Sequence, residues 1–125
     1  SNEDVDAVNE KINSLLTAFK VSIDAFYYCP AHPDYSTPEE CECRKPSPKM
    51  IFDAAAEFNV DLNQSYFIGD TVADIDCGKN AGLKTILVKT GKGEESFSIL
   101  QKENNFPTFV AENLANACNL ILGDI

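Results

Sequence analysis

The sequence contains no apolar run approaching the ~18 residues a membrane span requires, so no transmembrane helix is expected. Its start, Ser1-Asn2-Glu3-Asp4, lacks the basic and apolar stretches of a secretory signal, which points to a cytoplasmic protein. Basic residues are scarce: ten Lys and Arg stand against twenty Asp and Glu, a formal charge of -10. Such a surface repels nucleic acid and anionic membrane, so neither is an expected partner. There are no internal repeats or low-complexity tracts. A composition 44% hydrophobic and 24% charged excludes a disordered polar tail. The 125 residues suit one ordinary domain.

Histidine is scarcer still. His32 is the only one, and it lies among three of the five cysteines in the pattern Cys29-x2-His32-x8-Cys41-x-Cys43. The odd cysteine count, with no export signal, argues against a disulfide framework and for a reducing compartment. Four Cys and His donors from one loop suit the tetrahedron of a structural zinc with no open position. The segment between them carries Pro30, Pro33 and Pro38, so it forms neither a helix nor a central strand and needs a tie. Free cysteines on a Pro-rich loop are the alternative. Cys77 and Cys118 stand apart, each beside alanine in a helical pattern, and read as small buried hydrophobes.

Val5, Val8, Ile12, Leu15, Leu16 and Phe19 repeat at three- and four-residue spacing, which predicts an amphipathic helix over 4–20. The β-branched and aromatic run 23–28 predicts a strand leading into the cysteine loop. Ser47-Pro48 predicts an N-cap and first helical position, opening a helix that ends near Asn59. Short apolar strands are expected at 65–68, 85–88 and 108–110, with helices at 72–81, 96–102 and 113–122, and Gly82 ends the first of these. Alternating strands and helices, with wholly apolar central strands, predict an α/β fold: a parallel sheet flanked by helices.

In such sheets chemistry sits where strands end. Gly69-Asp70 follows a buried strand, and Asp74 lies one helical turn beyond. Two carboxylates so placed suit Mg²⁺, directly or through water; equally, Asp70 caps the helix and Asp74 is solvated. Lys45, held between the cysteine loop and Pro46, can act as a point charge on a phosphate, and Arg44 can fork onto its oxygens. Taken singly, both read as surface cations.

Arg44-Lys45-Pro46 after Cys41-x-Cys43, then Tyr66-Phe67-Ile68-Gly69-Asp70-x3-Asp74, then Ala81-Gly82 before an apolar strand, resembles the haloacid dehalogenase superfamily of phosphatases. Tyr27-Tyr28-Cys29-Pro30 and the cysteine loop narrow the resemblance to the histidinol-phosphatase and D-glycero-D-manno-heptose 1,7-bisphosphate phosphatase subfamily. It covers about residues 3–93. It implies Mg²⁺-dependent hydrolysis of a small phosphate monoester, a sugar bisphosphate or histidinol phosphate, through an aspartyl-phosphate. Lys45 would be catalytic, offsetting charge on the nucleophile and the phosphoryl group. Arg44, Lys45 and Thr71 would touch substrate, Asp70 and Asp74 would serve Mg²⁺, and Cys29, His32, Cys41 and Cys43 would hold Zn²⁺.

Three departures accompany the resemblance. The family's nucleophile motif D-x-D-G-T and its second motif are absent, and Asp4-Val5-Asp6 opens a helix instead. Ala31 stands where the family's zinc loop usually has histidine, leaving His32 one residue on. Thr71 stands where heptose bisphosphate phosphatases usually have lysine. The expectation is therefore that residues 1–125 form the C-terminal portion of a single domain, with a zinc loop at 29–43, lacking the first two strands and inactive alone. The family's sheet order, 5-4-1-2-3, would then be broken at its centre, and a homodimer or strand-swapped assembly would complete it. The alternative is a non-catalytic, zinc-stabilised binding or structural module.

Overall fold

The computed structural model describes residues 2–29 and 34–125. Three short strands, β1 (Tyr66–Gly69), β2 (Lys84–Val88) and β3 (Phe109–Ala111), form one parallel sheet in the order β1-β2-β3. Five helices accompany them: α1 (Asn2–Thr17), α2 (Lys49–Phe58), α3 (Val72–Asn80), α4 (Gly93–Lys102) and α5 (Leu114–Asp124). No helix of the described residues is long and apolar enough to cross a membrane.

The core is divided by the pleat of β2. Alternate residues of a strand face opposite sides of the sheet. Ile86 and Val88 therefore pack with Ala111 and Ala117 beneath α5, while Leu87 packs with Ile75 of α3 and Leu100 of α4. A strand covered on both faces must be apolar throughout, which explains Ile86-Leu87-Val88. Beyond the ladder, Thr85 and Thr108 exchange backbone-to-hydroxyl hydrogen bonds of 3.0 and 3.2 Å, extending the β2–β3 junction. Leu87→Ala is expected to cost about 3 kcal/mol by cavity formation, read from urea unfolding. Leu15→Ala, on exposed α1, is expected to stay within about 0.5 kcal/mol.

The helix boundaries follow local chemistry. Asn113 caps α5 by accepting from the Asn116 amide. Asn59 closes α2 in the left-handed conformation, which asparagine tolerates. Ser47 accepts from the Lys49 amide at 3.3 Å, but α2 begins at Lys49, one residue after the expected Pro48 start. The turn at 90–92 leads directly into α4, so that helix starts at Gly93 rather than Ser96.

Two expectations are corrected. Residues 23–28 are irregular and not a strand. Composition favours an extended backbone, but a strand exists only through pairing, and the Ile23 amide bonds the Asn13 side chain instead of a ladder. Cys118 is exposed, not buried, because it lies outside the α5 surface that seats Ala117, whereas Cys77 is buried as expected. The amphipathic helix α1 forms but ends at Thr17, short of the expected residue 20; none of its residues is buried, and Val8 and Leu15 on it, like Phe19 beyond its end, face solvent.

The outer edge of β1 pairs with no strand among the described residues. An apolar groove of about 470 Å³ lies there, lined by Met50, Ile51 and Ala55 of α2 with Tyr27, Phe67 and Leu83.

Candidate active site

The site is assembled where β1 ends. Gly69 closes the strand, and the chain turns through Asp70 to Thr71, the N-cap of α3. Thr71 Oγ1 accepts from the Asp74 amide at 3.1 Å. The Asp74 carboxylate reaches back, its Oδ2 accepting from the amides of Asp70 at 3.1 Å and Thr71 at 3.2 Å. This reciprocal arrangement satisfies helix N-terminal amides that would otherwise lack partners. The helix therefore takes its cap from Thr71, not from Asp70. A side chain at Gly69 would overlap the Asp74 carboxylate, so only glycine lets the acid lie against the strand end.

Lys45 arrives from the other side. Its ammonium lies 2.5 Å from Asp74 Oδ1, with Asp74 only 7% exposed and Lys45 42% exposed. The segment that follows Lys45 is anchored to α3. The Asn80 side chain donates to the Pro46 carbonyl at 3.1 Å, and the buried Cys77 thiol donates to the Ser47 carbonyl at 3.3 Å. Burial pushes the Cys77 thiol upward, against a smaller opposing effect of Lys45.

Burial alone would raise the Asp74 pKa, but the hydrogen bonds from Lys45 and Thr71 outweigh it and hold the carboxyl below the usual range. Its stabilisation is thus complete above the unfolded value of about 3.9 and is lost as pH falls through the lower folded value. The stability difference between wild type and Asp74→Asn, measured by urea unfolding, is expected to be constant above about pH 5 and to shrink below about pH 4. A difference that grows on acidification would contradict this assignment.

Asp70 is bound differently. Its Oδ2 accepts from the Lys92 amide at 2.9 Å, and Oδ1 has no donor among the described residues. Gly91 makes this possible: its φ is +59° and a side chain there would meet the Asp70 carboxylate. Asp70 thus presents one oxygen at the strand end, as a hard cation requires. Asp74 is spent on two amides and an ammonium, so it can serve a cation only from behind. Among the described residues no cluster of three or more His, Cys, Asp or Glu is placed to hold a metal.

Beside Lys45 opens a groove of about 490 Å³, lined by Tyr28, Cys29, Arg44, Thr71 and Ala73 among others. Arg44, Lys45 and Thr71, expected at the substrate, therefore share one cavity, while Asp70 flanks it at the β1 terminus.

Of the four expected zinc donors, Cys29, Cys41 and Cys43 lie within the described residues. Cys29 and Cys43 are joined as a disulfide with Cα atoms 5.6 Å apart, Cys41 is free and half-buried, and His32 lies outside the described residues. A bonded pair of sulfurs offers no thiolates, so in this form two of the four expected donors are consumed. The two cysteines are 14 positions apart in sequence.

Sequence reasoning missed the capping role of Thr71 and the Lys92 amide on Asp70. The first was readable, since Thr71-x-x-Asp74 is a capping-box spacing. The second depends on a backbone contact between distant loops and leaves no local signal.

A family described as HAD-hydrolase-like matches residues 42–117. The chain is 46% identical over 123 residues to D-glycero-D-manno-heptose-1,7-bisphosphate 7-phosphatase of Chlorobaculum tepidum, covering 92% of this chain and 61% of that protein. The corresponding Pasteurella multocida phosphatase is 40% identical over 106 residues, covering 82% and 55%. Among solved structures, the D,D-heptose 1,7-bisphosphate phosphatase of B. bronchiseptica, complexed with magnesium and phosphate, superposes with a TM-score of 0.82. Its identity is 31%, covering 97% of this chain and 64% of that one. The chain thus spans about three-fifths of the curated relatives it matches.

Proposed function

The chain belongs to the HAD-hydrolase-like family, and from that premise we propose that it carries half of a phosphatase centre acting on a small phosphorylated sugar. The heptose 1,7-bisphosphate of its relatives is the first candidate. One observation carries the reading: Lys45, locked to Asp74, and Asp70, with one open oxygen, converge at the carboxyl end of β1 beside a groove. Loops at the carboxyl ends of parallel strands are where such folds bind ligands.

Asp70 fits Mg²⁺, as judged by its open oxygen. Bound there, the cation would supply positive charge to the phosphoryl oxygens. Asp74 orients the Lys45 ammonium, which lies where a transferring phosphoryl group needs compensating charge. Arg44 lines the same groove and can fork onto phosphate. Thr71 contributes by fixing the first turn of α3. The attacking aspartate of the family is absent from these 125 residues, so the proposed activity requires an aspartate supplied from outside them. The free β1 edge and its groove would be completed by further chain, by a homodimer or by a strand swap.

Phosphate release from heptose 1,7-bisphosphate tests this with the parent polypeptide and with residues 1–125 alone. The parent is expected to turn over at about 1–10³ s⁻¹ with Mg²⁺ and to lose at least about 100-fold when the metal is chelated. Residues 1–125 alone are expected to stay at the uncatalysed rate. A parent inactive on every sugar phosphate offered would sink the phosphatase reading. Full activity of residues 1–125 would sink the shared centre.

A further inference from the structure

Asp70 follows β1, but the group that holds its carboxylate belongs to another loop, the turn between β2 and α4. That turn is anchored on both sides. The Lys89 amide donates to the Ala111 carbonyl of β3 at 2.9 Å, and the Gly93 amide donates to the Thr90 carbonyl at 3.0 Å. Gly93 is buried, as are Ser96 and Leu100 of the helix it opens. Between these anchors the backbone takes one defined form. Gly91 has φ +59°, and Lys92 has φ −89° and ψ 9°, as in a type II′ turn with glycine at its first central position. In this form the Lys92 N–H meets Asp70 Oδ2 at 2.9 Å, and the bare Gly91 leaves room for the carboxylate. A hydrogen bond to an ionised oxygen is among the stronger ones. It restricts rotation of the carboxylate and occupies Oδ2, which leaves Oδ1 as the available donor.

We propose that the turn Thr90–Gly93 is a positioning element for cation binding: the Lys92 amide and the side-chain-free Gly91 lock the Asp70 carboxylate so that Oδ1 is presented to a divalent cation. Lys92 acts through its main chain, and its ammonium takes no part. Partners that hydrogen-bond a ligating carboxylate from behind fix its orientation, and their loss typically weakens metal binding about 10–100-fold. The inference rests on the reading of Asp70 as a cation ligand and deepens it by naming what sets the affinity.

The test is Mn²⁺ binding to the longer polypeptide, read from the electron paramagnetic resonance of the free ion, so that no turnover is needed. Lys92→Pro removes the N–H while the ring keeps φ negative, in the region of the native value. It is expected to weaken Mn²⁺ binding about 10–100-fold. Lys92→Arg keeps both the amide and the charge and is expected to bind within about twofold of wild type. Asp70→Asn is expected to weaken binding at least about 100-fold. Near-wild-type affinity in Lys92→Pro, with binding lost in Asp70→Asn, would overturn the role of the turn and leave the phosphatase reading standing. Equal losses in Lys92→Arg and Lys92→Pro would also overturn it, by moving the effect to the side chain. Wild-type affinity in Asp70→Asn would remove Asp70 as a ligand, and the proposal with it. Amide hydrogen exchange in residues 1–125 covers the case in which the proline variant fails to fold. The Lys92 amide should exchange at least about tenfold more slowly in wild type than in Asp70→Ala, and equal rates would overturn the proposal.

Discussion

Asp74→Ala is expected to destabilise the fold by about 3 kcal/mol, the largest loss among polar substitutions in this chain. The side chain is nearly buried, and three groups converge on it: the Asp70 and Thr71 amides and the Lys45 ammonium. Removing it leaves two amides without their acceptor at a helix terminus, at about 1–3 kcal/mol for each that water fails to reach. The capping box is halved as well. Lys45 contributes less to the loss, because it is 42% exposed and can rehydrate. Urea unfolding at neutral pH measures the change, and a melting shift of about 10 °C downward should accompany it. A loss below about 1 kcal/mol would mean that the carboxylate is a solvated surface group. Asp74→Asn should fall between, since an amide still accepts from the backbone but gives up the ion pair.

In the proposed phosphatase reaction of the longer polypeptide, Lys45→Ala is expected to lower kcat/KM about 10³-fold, in the range found when one positive or hydrogen-bonding group is withdrawn from a developing oxyanion. Most of the loss should lie in kcat, because the ammonium acts on charge that grows during phosphoryl transfer. The fold should suffer less than in Asp74→Ala: the two backbone amides still bind Asp74 when the lysine is gone. Lys45→Arg is expected to restore little, since a planar fork does not reproduce a compact point charge 2.5 Å from one carboxylate oxygen. The two variants separate two roles. Asp74→Ala should lose stability and activity together, whereas Lys45→Ala should lose activity with a smaller drop in the unfolding midpoint, because Asp74 keeps its two backbone amides but loses its counter-charge. Equal kcat in Lys45→Ala and wild type would remove Lys45 from the chemistry.

The parallel sheet was legible because its strands are apolar on both faces and bounded by turn residues. Tyr66-Phe67-Ile68 and Thr85-Ile86-Leu87-Val88 admit few other readings. The strand end at Gly69-Asp70 and the acid one turn later were equally local, as were the helices over 72–80 and 114–124. Residues 23–28 depart from the expected strand for a physical reason. Their composition records a preference for extension, but pairing is a property of two segments, and no described strand lies beside them.

Local sequence thus determined the elements of the sheet and the identity of the groups at its edge, since periodicity, caps and turns act over a few residues. Tertiary structure alone decided what those groups do to one another. It set Lys45 on Asp74 across 29 positions and the Lys92 amide on Asp70 across 22. It also joined Cys29 to Cys43, where spacing suggested a metal loop. Each pairing depends on where distant loops come to rest, and that follows from packing the whole sheet.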